Sequence, residues 1–156
     1  MKTLEFDFDN VGGITRLYAV QTSALRRLDT NPLTGLSRLS LYPDAEVVEI
    51  PVYNNVLFSE VQSEEDGGSV FAVQITGFIP RQENVLLTST LERSDWLVVH
   101  QDANGDILLS GTTDIPLMFA SNKTTGSDGE RNGNNFTFSA SLPTPSVHID
   151  NRAFYI

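Results

Sequence analysis

The stretch NVLFSEVQSEEDGGSVFAVQITGFIP, residues 55–80, decides the fold class. It holds two apolar-rich runs separated by Asp66, Gly67 and Gly68. Asp-Gly or Gly-Gly between such runs is among the strongest short-range signals for a β-hairpin. The stretch therefore predicts a long antiparallel hairpin with its turn at residues 66–68.

On the N-terminal side of this hairpin the chain also has the patterns of β-strands. The segment TLEFDFDN (3–10) alternates strictly, and period two predicts a strand with one buried and one acidic face. Its apolar positions are Leu4, Phe6 and Phe8, and its acidic positions are Glu5, Asp7 and Asp9. Further strands are predicted in ITRLYAVQ, LSRLSLY and AEVVEIPVY, and TSALRRLD predicts a short helical turn.

On the C-terminal side one helix interrupts the strands. RQENVLLTSTLERS (81–94) predicts an α-helix over residues 82–93, although its threonines are weak helix formers. DWLVVHQ, DILLSGT, PLMFASN and NNFTFSASL predict strands, the last two flanking the polar loop 122–134. The whole chain, 1–156, is predicted to be one mainly β domain, a β-sandwich or barrel-like fold of roughly eight to ten strands with one flanking helix.

Composition excludes several kinds of protein. The chain of 156 residues has no cysteine, so disulfides, thiolate catalysis and cysteine-ligated metals are excluded. Its net charge of -10 argues against a nucleic-acid clamp, whose affinity depends on lysine and arginine. The N-terminus lacks the apolar run of a signal peptide, and no stretch approaches a membrane span, so we expect neither export by a cleaved signal nor membrane insertion.

The segment HQDANGDILLSGT (100–112) raises the question of a calcium site. Asp102, Asn104 and Asp106 alternate as in an EF-hand loop, but Ile107 stands where that loop needs glycine and Thr113 where it needs glutamate. A hairpin turn with Asn104 and Gly105 at its two central positions explains the same residue pattern. We therefore predict a turn without a metal.

No other motif indicates catalysis. His100 and His148 are far apart in sequence and are expected to be surface or rim residues, and no nucleophile elbow, phosphate loop or HExxH motif is present. Trp96 is expected in the core or at an interface. The acids Glu60, Glu64, Glu65, Asp66 and Asp114 are expected to be solvated. We assign no catalytic residue, no cofactor and no metal ligand.

Two segments carry a resemblance to a known class of protein. Residues 96–145 contain an NG…LLSG hairpin, a PLMF strand and a Gly/Asn-rich loop leading into NNFTF, and residues 8–20 read FDNVGGITRLYAV. These segments resemble virion structural proteins encoded by bacteriophages and prophages, of the tail-tube or tail-completion type. The resemblance implies a β-sandwich or barrel with a flanking helix, assembled as a ring, often of six copies, without catalysis.

The resemblance also implies partners, a place and surfaces. The partners would be other copies of this chain and other virion proteins, with no specific nucleic-acid binding, and the location would be the virion, or the host cytoplasm during assembly. Glu5, Asp7 and Asp9 are a candidate channel lining, because like charge does not retain DNA; an ordinary solvated strand face is the alternative. The loop 122–134 is a candidate subunit contact through Asn122, Lys123, Asp128, Glu130, Arg131 and Asn132, and residues 29–36 are a second candidate.

Two other functions stay open from the sequence. One is a β-sandwich binding module for a glycan or a protein, which would show Trp96 or tyrosines in a concave groove. The other is a hydrolase, which would need two carboxylates about 5 to 10 Å apart in a pocket.

Overall fold

The computed structural model describes residues 12–53, 56–80, 85–125 and 132–153. These residues form eleven strands and one α-helix, which confirms the mainly β fold class with a single flanking helix. The strands are β1 (Ile14–Gln21), β2 (Leu25–Thr30), β3 (Ser37–Leu41), β4 (Val47–Ile50), β5 (Leu57–Glu65), β6 (Gly68–Pro80), β7 (Trp96–Asp102), β8 (Ile107–Ser110), β9 (Met118–Thr124), β10 (Gly133–Leu142) and β11 (Val147–Ile149).

The hairpin predicted at residues 55–80 is confirmed as β5 and β6. Glu65 pairs with Gly68 across the turn, and the antiparallel register continues to Leu57 opposite Thr76. Gly68 has a φ of 116°, a left-handed conformation that favours glycine.

Two sheets make up the fold. The larger sheet has seven strands in the order β2-β3-β11-β8-β7-β1-β4, and the smaller has four in the order β5-β6-β10-β9. Within the described residues the arrangement is a sandwich rather than a closed barrel. Between the sheets lies a first core, built around Leu17, Trp96, Val98, Phe136 and Phe138.

The seven-stranded sheet is strongly curved. β1 and β2 stand five strand positions apart, about 24 Å in a flat sheet, yet only residues 22–24 connect them, a link that reaches about 14 Å at most. The sheet must therefore curl until these strands approach each other. Inside the curl lies a second core, to which every strand of this sheet contributes, including Tyr18, Leu97, Leu109 and Ile149.

The two cores explain the apolar run WLVVH. Trp96 and Val98 face the first core, whereas Leu97 and Val99 face the second, so β7 is buried on both sides. A strand buried on both faces needs a continuous apolar run rather than alternation. Trp96 is fully buried, as expected, and its indole N–H donates to the carbonyl of Leu91 at 2.7 Å.

Two sequence predictions are corrected in detail. The helix α1 runs Val85–Leu91 and ends earlier than expected, since the N–H of Arg93 already bonds the Thr90 carbonyl three residues back. Residues 81–84 lie outside the described part. TSALRRLD forms a 3-10 turn only at Thr22–Ala24 and continues as β2, because pairing with β3 buries part of its leucines in the second core.

Candidate interaction surface

The strand β5 has an inverted distribution of apolar and charged side chains. Leu57 and Val61 point away from the sandwich and are 62% and 59% exposed, whereas Phe58 and Glu60 point toward the larger sheet and are half-buried. An outer strand of a sandwich normally places its apolar residues inside and its charges outside. β5 therefore exposes what such a strand usually buries.

Contacts on the inner side of β5 fix this register. The ring of Phe58 lies 4.5 Å from that of His100, and the Glu60 carboxylate accepts a hydrogen bond from the Ser146 N–H at 2.8 Å. A shift by one residue would bury Leu57 and Val61 but would break both contacts. The exposure of these two apolar residues is thus imposed by the fold.

The outward-facing residues of all four strands form a continuous surface, called here the outer face. Strand pairing places Leu57 beside Thr76, Thr137 and Ala120 in one row, and Ser59 beside Gln74, Ser139 and Met118 in the next. Short of Glu65, which lies on the same side of β5 at the hairpin tip, none of the side chains of the outer face is charged. Its members are Leu57, Ser59, Val61, Ser63, Val70, Ala72, Gln74, Thr76, Phe78, Asn135, Thr137, Ser139, Ser141, Met118, Ala120 and Asn122.

The surface of the outer face is nearly flat. A shallow depression of about 420 Å³ is lined by Val61, Ala72, Met118 and neighbouring serines. At one end the ring of Phe78 lies across Gly133, where a Cβ atom would collide with it. Met118 is 73% exposed at the edge strand β9. Small residues and a flat shape suit contact with another protein surface rather than enclosure of a small ligand.

The predicted contact residues lie partly next to this surface. Asn122 belongs to the outer face, Lys123 follows it on β9 opposite Asn134, and Asn132 precedes β10. Asp128, Glu130 and Arg131 lie outside the described residues. The candidate channel residues Glu5, Asp7 and Asp9 also lie outside them, so both groups stay predictions.

The loop after β7 is a hairpin turn, although not of the predicted type. The Gly105 N–H bonds the Asp102 carbonyl, so Ala103 and Asn104 are the central residues, and Gly105 follows them with a φ of 89°. One carboxylate oxygen of Asp102 accepts the N–H groups of Asn104 and Asp106 at 2.8 and 2.9 Å. This oxygen is engaged by the backbone, and the described residues contain no group of three or more potential metal ligands.

His100 is not a surface or rim residue, contrary to the sequence expectation. It is 3% exposed on the inner side of β7, two residues from Val98 and facing Phe58, and its Nδ1 has no hydrogen-bond partner. Burial lowers the pKa of His100 from 6.5 to about 4, while the charge of Asp102 acts in the opposite direction. His148 is exposed, as expected.

The remaining candidate residues do not come together as a site. Glu64 bonds Ser69 beside the exposed tip of the β5–β6 hairpin, where Glu65 and Asp66 lie, and Glu60 is bound by the Ser146 backbone. The buried Trp96 offers no face to a sugar. No helix in the described part of the chain is long and apolar enough to cross a membrane.

Comparison of the chain with protein-family models, with curated proteins and with solved structures finds no match.

Proposed function

We propose that this chain is a non-catalytic structural protein that assembles with copies of itself, like the ring- and tube-forming phage and prophage tail proteins that its sequence resembles. The observation that supports this proposal is the outer face, an exposed and uncharged sheet surface on a chain of net charge -10. Its assembled form would be a ring or tube in a virion tail.

Electrostatics favours this surface for contact between identical copies. Two copies of an acidic chain repel each other over most of their surfaces, and burying like charges at a contact costs further free energy. In such a contact the outer face itself brings no charge into the interface short of Glu65 at the hairpin tip. It also brings apolar Leu57, Val61 and Met118 out of water, which stabilises the contact.

The size of the surface sets the strength of a single contact. Four strands spaced by about 4.8 Å and about 30 Å of strand length give an area on the order of 500 Å² per copy. That is below the roughly 800 Å² per partner of a standard stable complex. One contact of this kind would be weak. In a closed ring the outer face of each copy would contact a different surface of the next, so each copy would make two contacts and the assembly would gain strength.

The test compares lysine substitutions at two alanine positions. Ala72 lies on the outer face and Ala103 in the β7–β8 turn, and both are exposed. We expect the natural chain to form larger species in sedimentation velocity as concentration rises, and rings or tubes to be visible by electron microscopy. Ala72→Lys should remain monomeric with an unchanged circular dichroism spectrum, and Ala103→Lys should assemble normally. A natural chain that stays monomeric over a roughly thousandfold concentration range would overturn the proposal.

The alternative function is a binding module whose outer face contacts a different protein. The same surface supports it, since uncharged flat faces also occur in contacts between unlike chains. This alternative would be favoured if the natural chain were monomeric and bound a partner protein that Ala72→Lys no longer bound. Ala103→Lys should then still bind that partner.

A further inference from the structure

The loop between β2 and β3 presents one large apolar side chain to solvent. Leu33, at the tip of this loop, is 93% exposed, the highest value among the large apolar side chains of the described ranges. Residues 30–37 carry no charge. A side chain exposed to this extent fills no cavity in its own copy, so Leu33 is free to pack against another molecule.

Hydrogen bonds hold this loop in one shape. The Asn31 N–H donates to the Leu36 carbonyl at 2.9 Å, and the Gly35 N–H donates to the Asn31 carbonyl at 2.8 Å. The Asn31 side chain accepts the N–H of Leu33 itself at 2.9 Å, and the ring of Pro32 restricts the backbone between them. Leu33 is therefore held in place before any contact, and burying it costs little conformational entropy.

A cavity of about 190 Å³, called here the β2 cavity, lies where β2 approaches β8 and β11 across the curl of the larger sheet. None of its lining side chains is charged. Leu109 and Leu142 are buried at its floor, whereas Thr113 and Thr144 are exposed and mark its mouth. Further apolar side chains in its wall are Leu25, Leu28, Pro145 and Val147. The β2 cavity is therefore an apolar recess that opens to solvent.

The size of the β2 cavity suits a single side chain. An apolar cavity of about 150 Å³ binds benzene, a molecule with more carbon atoms than the side chain of leucine. Pockets for larger organic ligands measure about 300 to 1,000 Å³. The β2 cavity is thus large enough for a leucine side chain and too small for a strand, a helix or a large cofactor.

We infer that Leu33 of one copy enters the β2 cavity of a second copy. Electrostatics favours this occupant, because neither the loop nor the cavity wall is charged on a chain of net charge -10. The two can therefore meet without bringing like charges together. Insertion also removes from water a side chain that its own fold leaves almost fully exposed, which stabilises the contact.

This contact rests on the proposed self-assembly and adds to it a surface other than the outer face. The loop and the cavity are different parts of the chain, so each copy can insert its loop into one neighbour and accept the loop of another. Head-to-tail contacts of this kind build rings when the rotation between copies closes and filaments when it does not.

The first test compares two exposed leucines. Leu33→Ser removes the inserted side chain, and Leu86→Ser, at a position on α1 that is 79% exposed, is the matched control. We expect Leu33→Ser to need at least about tenfold more protein for the same assembly in sedimentation velocity, and Leu86→Ser to stay within about twofold. Urea unfolding should be unchanged in both. Equal assembly of the two variants would overturn the inference.

The second test fills the cavity. Val147→Phe places a larger side chain in the wall of the β2 cavity and should weaken assembly as much as Leu33→Ser does. Because both changes remove the same contact, the double variant should be no weaker than either single one. Urea unfolding checks that Val147→Phe still folds. If Val147→Phe weakens assembly and Leu33→Ser does not, another group occupies the cavity and the assignment of Leu33 is wrong.

The third test uses cross-linking in the Ala72→Lys background, which disables the outer face. The chain has no cysteine, so a copy with Thr34→Cys in the loop can be mixed with a copy with Thr113→Cys at the cavity mouth and treated with a short bismaleimide. We expect a cross-linked pair, and none when Ala103→Cys replaces Thr113→Cys.

The direction of the contact separates this inference from the proposed function. Leu33→Ser should abolish the cross-link when it is added to the loop copy and leave it when it is added to the cavity copy. A cross-link that ignores Leu33 in the loop copy would refute the contact and leave the outer face untouched. Conversely, normal assembly of Ala72→Lys together with Leu33-dependent cross-links would refute the outer face and leave this contact standing.

Discussion

The concave face of the seven-stranded sheet and the outer face of the four-stranded sheet are both turned away from the core between the sheets. The first is covered by the chain itself, because the sheet curls and strands β2, β3 and β11 close over Tyr18, Leu97 and Val99. The second is covered by nothing in the described chain, yet it carries no charge. A face that is kept free of charge without being buried is suited to burial against another molecule. The first of four pairs of variants tests this contrast directly.

The largest effect is expected from a pair of leucines, one on each face. Leu97 is fully buried in the second core, so Leu97→Ala should lower the free energy of unfolding by about 3 kcal/mol through lost burial and a cavity. Leu57→Ala, on the outer face, should change it by less than about 0.5 kcal/mol but weaken self-association. Urea unfolding and sedimentation would measure the two effects, and similar losses of stability would contradict the difference between the faces.

A comparable effect is expected from the buried histidine between the sheets. The folded protein holds the pKa of His100 at about 4, below its ordinary 6.5, so the unfolded chain binds this proton first. Stability is therefore unaffected above pH 6.5 and falls by about 3 kcal/mol as pH drops toward 4.

Two glutamine variants isolate this contribution. His100→Gln should remove that part of the pH dependence of urea unfolding, and His148→Gln, at the exposed histidine, should leave it unchanged. An identical pH profile for the natural chain and His100→Gln would show that His100 is accessible to protons in the folded state.

A smaller effect is expected at Gly77, on the inner side of strand β6 in the smaller sheet. A Cβ atom at Gly77 would lie 2.5 Å from the Phe136 ring, which the first core holds in place. Gly77→Ala should therefore destabilise the fold by about 2 kcal/mol. Gly67→Ala, at the hairpin tip where nothing lies within 4 Å, is the control and should have little effect in thermal unfolding. A neutral Gly77→Ala would mean that the inner face is loosely packed.

The smallest effect is expected at the β7–β8 turn. Asp102→Ala removes the acceptor of two backbone N–H groups and should cost about 1 kcal/mol, whereas Asp102→Asn keeps an acceptor oxygen and should cost less. Millimolar calcium should leave the melting temperature of the natural chain unchanged. A rise of several degrees would show a metal site after all.

Much of the fold class was predictable because its signals are local. The Asp66–Gly68 hairpin, the apolar run of β7 and the helix after β6 each depend on neighbours in sequence. The curl of the large sheet was not predictable, because it places Leu28 against strands far away along the chain. Alternation alone could not tell which side of β5 is buried, since Leu57 and Phe58 are both apolar.

The position of His100 in strand β7 could have indicated its burial. His100 is two residues from Val98 and four from Trp96, so it shares their side of β7, and that side faces the first core. Its place near the end of the strand favoured the rim interpretation instead. The outer face could not be recognised before pairing showed that separate serines, threonines and alanines share one surface.

The position of β11 has a consequence for how the chain folds as it is made. β11 has three residues near the C-terminal end of the described chain, and it joins β3 on one side to β8 on the other. Until it is synthesised, none of the other described strands connects the β2–β3 hairpin to the rest of its sheet. The leucines of that hairpin therefore remain exposed while the residues between β3 and β11 are synthesised. Nascent copies crowded on one messenger are therefore at risk of aggregation through this hairpin, and release of the last strand ends that risk.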